Sequence, residues 1–214
     1  VAKTDELIDQ LARDLRPVPA GALDRLLAWA LLPGIVLSGA LIFFAHGFRP
    51  DLAAAVHLPA FWVKSFYPFA LALSGFVAMK IVARPGGVPL RAGLASLAIY
   101  LILVALALVQ LQTASAADYP RLIFGISYWF CPLIILVAAL PVFAANIWFL
   151  RRSAPTHFYL SGFVAGMTAG AAGAWTYSWG CIENGLTFVA IWYSLGILLC
   201  GLVGAALGPR LLRW

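Results

Sequence analysis

Cys131 and Cys181 are the residues whose chemistry stands out in this 214-residue chain. Cys131 lies in Tyr128-Trp129-Phe130-Cys131-Pro132, and Cys181 in Trp179-Gly180-Cys181-Ile182-Glu183-Asn184. Two thiols on one side of a protein can close a disulfide on oxidation. As thiolates they can also bind a soft ion, because sulfur favours Cu(I) and Zn(II) over hard cations. A complete tetrahedral metal site wants further donors, and Glu183, His46 and His57 are the accessory candidates. No CxxC or HxxxH spacing accompanies them, so spacing alone leaves disulfide, metal site and two unrelated buried cysteines all open. Cys200 differs. It sits in an apolar, glycine-rich stretch, where a free cysteine serves as a small hydrophobe.

The elements that position these residues follow from composition. The chain is 64% hydrophobic and only 10% charged, against roughly 25% charged in a soluble domain. So little charge cannot cover a surface facing water. The apolar runs lack the alternation of barrel strands, and helices satisfy their own backbone amides in lipid. At about 20 residues per crossing, the expected architecture is an all-α, six-helix transmembrane bundle. Its spans fall at 24–45, 60–83, 92–112, 122–150, 157–179 and 185–207. The fourth carries an ambiguity. If residues 121–127 lie along the interface and Pro132 breaks the helix, Cys131 is close to the surface rather than ~15 Å deep.

Orientation follows from the basic residues, which concentrate on the cytoplasmic side of short loops. With the N-terminus inside, only Arg49, Lys64 and Arg121 of the 14 Lys and Arg lie outside. Both termini are therefore expected in the cytoplasm, and both thiols face the periplasm, an oxidising compartment. Trp62, Trp129, Trp175 and Trp179 fall near outer span ends, where indole rings anchor. Gly162, Gly166, Gly170 and Ala174 in the fifth span, with Gly204 and Gly208 in the sixth, allow close backbone approach.

Residues 1–23 form a separate cytoplasmic segment, ahead of a membrane domain over 24–214. It lacks a signal-peptide layout, its charges being mixed with no apolar core before a cleavage site. Thr4 to Leu15 reads as a short helix with Leu7, Ile8, Leu11 and Leu15 on one stripe, ended by Arg16-Pro17-Val18-Pro19. Asp5, Glu6 and Asp9 would be repelled by anionic lipid, so a protein groove suits the stripe better than the membrane surface. The net charge of +6 is dispersed over helix ends, without the clustered stripe of a nucleic-acid binder. No hydrolytic constellation appears, and ionisable groups are nearly missing from mid-span, which argues against a pump or carrier.

Thr4-Asp5-Glu6-Leu7-Ile8, Cys131-Pro132, Cys181 with Glu183, Trp192-Tyr193 and the ending Gly208-Pro209-Arg210-Leu211-Leu212-Arg213-Trp214 resemble the NrsF family across essentially the whole chain. These are bacterial six-helix inner-membrane anti-sigma factors that hold extracytoplasmic-function sigma factors inactive. The resemblance implies a non-enzyme with no obligatory cofactor. It implies that Cys131 and Cys181 sense oxidants or metals such as copper, cadmium or chromate, with reversible binding of copper, zinc or cadmium at the pair. It further implies a cytoplasmic face that sequesters the sigma factor. Leu7, Ile8, Leu11 and Leu15 are the expected sigma-docking residues. The alternative from the same cysteines is a membrane thiol oxidoreductase or metal-handling protein, disfavoured by the missing CxxC.

Overall fold

The computed structural model describes Thr4, Glu6, Pro19 and residues 21–213. The expected docking helix, with Leu7, Ile8, Leu11 and Leu15, lies outside the described residues. The remainder is helical. Helix α1 is Ala22–Ala45, α2 is Leu52–Ala55, α3 is Pro59–Val82, α4 is Leu90–Thr113, α5 is Tyr119–Ile123, α6 is Cys131–Arg151 and α7 is Phe158–Ser178. The last, α8, is Leu186–Leu211, with a π-helical turn at Val189–Tyr193.

Local chemistry sets these limits. Pro59 and Pro132 sit in the first turns of α3 and α6, where a missing amide costs no intrahelical bond. Beyond Val82 the chain turns through Gly86, whose φ is 69°, a value that favours glycine.

Among the described residues, five helices, α1, α3, α4, α6 and α8, are long and apolar enough to cross a membrane. The fifth expected span forms α7, 21 residues without a charge, but its many small residues leave it outside that set. Packing explains this composition. Helix α7 is the centre of the bundle, with α8, α6, α3 and α1 against it, whereas α4 packs mainly on the outer side of α3. A helix enclosed by other helices needs small residues where their backbones approach. Peripheral α4 instead turns Leu94, Leu97, Leu101 and Ile102 outward.

The fourth span also departs from expectation. It begins at Cys131, not at 122. Residues 124–130 run in turns ahead of it, with Ile126 79% and Trp129 71% exposed. The long helix therefore starts beside Pro132, while Cys131 itself is fully enclosed. Gly125 at φ 56° takes a left-handed turn that a helix cannot continue.

The loops gather at two ends. At one, the Ala154 amide bonds the Ala83 carbonyl at 3.2 Å and Arg151 bonds the Leu211 carbonyl at 2.7 Å. At the other, loops 46–58, 114–130 and 179–185 meet around the two cysteines.

A buried cysteine pocket held by two cations

Cys131 opens α6 and Cys181 lies in the short connection from α7 to α8. Both are free thiols, at 0% and 1% exposure. The Tyr177 and Tyr193 hydroxyls lie beside the Cys181 thiol, and that of Tyr177 also borders Cys131. The two phenol rings stack with centroids 5.8 Å apart. The Tyr193 hydroxyl is buried without a hydrogen-bond partner among the described residues. A thiol is only a weak partner for it. The π-helical turn places Tyr193 here and sends the Trp192 indole N–H to the Ile123 carbonyl at 3.0 Å, tying the start of α8 to α5.

Two cations hold the Cys181 connection. Lys64, from the second turn of α3, is wholly buried. Its ammonium donates to the carbonyls of Cys181 at 2.6 Å and Glu183 at 2.8 Å, and lies 5.9 Å from the Phe61 ring centroid. Arg49 is 2% exposed. Its guanidinium forks onto Asp51 at 2.7 and 2.8 Å. It also donates to Asn184 Oδ1 at 3.1 Å and more distantly to the Cys181 carbonyl at 3.5 Å. The Arg49 hydrogen bond and charge hold the Asp51 carboxyl below the ordinary carboxylate range. Asp51 in turn raises the pKa of the Arg49 guanidinium.

The Glu183 carboxylate forms no salt bridge with the ammonium among the described residues. Its Oε1 accepts the Ile126 amide at 2.7 Å and the Ser127 hydroxyl at 3.2 Å. Gln110 closes the same connection from α4, accepting the Leu186 amide at 2.7 Å and donating to the Asn184 carbonyl at 3.4 Å.

The accessory candidates divide. Glu183 lies by the pocket with its carboxylate occupied by hydrogen bonds. His46 packs its ring 5.5 Å from that of Tyr177, and His57 is exposed at the end of the α2 turn. Among the described residues, no three His, Cys, Asp or Glu converge as a metal-binding group. The donors in the pocket are two thiols. A tetrahedral zinc or cadmium centre would need more. Cys200 packs against Gly170, where an added Cβ would come within 3.0 Å of its Sγ.

Of the pocket residues, the sequence marks Arg49 and Lys64 only as outer basic residues and Tyr193 only within the family resemblance, and does not single out Tyr177. One signal pointed at Lys64: a charged residue inside an apolar span is costly and usually functional. Nothing local marks the tyrosines, since span ends carry aromatics anyway.

A helical bundle with helices of membrane-crossing length, enclosing two thiols at the end away from its last helix turn, defines an all-helical class of protein built around buried cysteines. The profile of the NrsF family, described as Negative regulator of sigma F, matches residues 11–214. The chain is 37% identical over 213 residues to the Anti-sigma-F factor NrsF of Caulobacter vibrioides (strain NA1000 / CB15N), covering 99% of this chain and 100% of that protein. It is 36% identical over 216 residues to the Probable anti-sigma-F factor NrsF of Azospira oryzae (strain ATCC BAA-33 / DSM 13638 / PS), with 99% and 100% covered. No solved structure matches. The chain belongs to the NrsF family.

Proposed function

We propose that this protein is a membrane-embedded anti-sigma factor that sequesters an extracytoplasmic-function sigma factor and releases it when Cys131 and Cys181 react outside. The full-length likeness to two anti-sigma-F factors carries this reading. The six-span topology completes it. Helix α7 is antiparallel to its neighbours α6 and α8, and 21 residues reach about 31 Å at 1.5 Å each, enough to cross with them. In the bacterial inner membrane the end rich in exposed arginine, with Arg84, Arg91, Arg151, Arg152 and Arg210, then faces the cytoplasm. Both termini lie on that side and the cysteine pocket faces the periplasm.

The signal is thiol chemistry. Two thiols suit disulfide formation or a soft ion of low coordination number such as Cu(I). A signal acts only through differential stabilisation of two states. Shifting a bundle from ~1:99 to ~99:1 takes about 5.5 kcal/mol. The sigma factor would dock on the N-terminal stripe of Leu7, Ile8, Leu11 and Leu15, with the cytoplasmic loops beside it.

The test replaces Cys131 or Cys181 by Ser and follows a reporter of the sigma regulon under copper, cadmium or a thiol oxidant. Loss of induction in either variant is expected. Undiminished induction in both rejects the sensor role. In the same strains, Leu7→Asp with Leu11→Asp should abolish co-purification of the sigma factor. Retained binding rejects the docking stripe.

A further inference from the structure

We propose that Lys64 is the positioning residue of the cysteine pocket, an ammonium tether that keeps the Cys181 thiol enclosed and sets how readily it reacts; this rests on the sensor reading above. Lys64 is fully buried, and no carboxylate pairs with it among the described residues. A buried cation without a counter-ion is expensive unless hydrogen bonds replace its water. Here the replacements are two carbonyls of one connection, those of Cys181 and Glu183. Those carbonyls likewise depend on Lys64. The Glu183 carbonyl has no second donor among the described residues, and Arg49 reaches the Cys181 carbonyl only at 3.5 Å.

The dependence is reciprocal, and this makes the lysine a latch. When the connection holds its resting shape, the ammonium is satisfied and Cys181 stays enclosed. When the connection moves, the charge is stranded, so α3 is driven to follow or the movement is resisted. Helix α3 also carries Lys80 near its other end, where the ammonium meets Asp24 of α1 at 2.9 Å. One helix therefore joins the Cys181 connection to the start of α1, where the N-terminal segment enters the bundle.

The test uses the full chain purified in detergent. Maleimide labelling of Cys181 is timed with Cys200 as internal reference, in the wild type, Lys64→Met and Lys64→Arg. Lys64→Met should raise the Cys181 rate at least tenfold and leave Cys200 unchanged. Lys64→Arg, which still presents several donors, should remain within about threefold of wild type. An unchanged Cys181 rate in Lys64→Met overturns the proposal. If Lys64→Met exposes both cysteines, Lys64→Arg decides: both thiols staying within about threefold of wild type supports the tether, while exposure of either overturns it.

In cells, Lys64→Met at equal membrane level should lower the diamide dose for half-maximal reporter induction at least threefold. An unchanged dose overturns the positioning role. Failure of the wild-type chain to bind a sigma factor would reject the anti-sigma reading and leave the labelling result standing.

Discussion

The Glu183 carboxylate accepts the Ile126 amide at 2.7 Å, joining the α7–α8 connection to the turns that precede Cys131. Through this bond the two cysteine-bearing segments brace each other. Gly125 permits the approach, since a Cβ there would meet the Glu183 carboxylate at 2.5 Å.

Glu183→Ala should therefore loosen residues 124–130 while sparing the bundle, at a cost of about 1 kcal/mol for the lost bonds. Limited proteolysis would show new cleavage in this segment. Glu183→Gln keeps an acceptor and should stay resistant. Equal resistance in the alanine variant would remove the brace.

The centre of the bundle should be far less forgiving. A Cβ at Gly162 would run into the Gly204 carbonyl and come within 2.9 Å of the Gly208 Cα, and one at Gly166 would run into the Cys200 carbonyl. Gly162→Val or Gly166→Val must push α8 from α7, with overpacking costs of about 1–3 kcal/mol or more. Gly93, on α4, has nothing within 4 Å of an added Cβ. Gly93→Ala should gain about 0.5–1 kcal/mol from reduced backbone entropy. Thermal unfolding in detergent would separate the two directions.

Acid should weaken the pocket's rim through Asp51. Its native pKa is depressed by Arg49, so its stabilisation is present above the ordinary carboxylate pKa of about 3.9. That contribution is lost as pH falls through the lower native value, when the protonated acid releases the guanidinium. Melting temperatures followed down in pH should fall less steeply for Asp51→Asn than for the wild type. Parallel curves would show that the pair does not couple to folding.

Much of this was legible in the chain itself. Helix-forming segments show as apolar runs, and their ends show as Pro59, Pro132 and the Gly86 turn, because helix starts and stops are decided by neighbouring residues. The thiols at 131 and 181 stand out by type, and their environments reach into the family resemblance. The entry of the fourth span was ambiguous for a physical reason. Residues 124–130 are apolar enough to be read as membrane helix, and their exposed aromatic face shows only once the chain turns at Gly125.

The sequence by itself determined that the chain folds into long apolar helices and which residues can do thiol chemistry. Only tertiary structure decided that α7 is the enclosed helix and that Lys64, far from being a surface charge, is the donor to Cys181. Those two residues are 117 positions apart. Hydropathy and helical period register a residue's own preferences and those of its near neighbours. They carry no record of which distant carbonyl will replace the water around a buried ammonium, and that partner is set by how the helices pack.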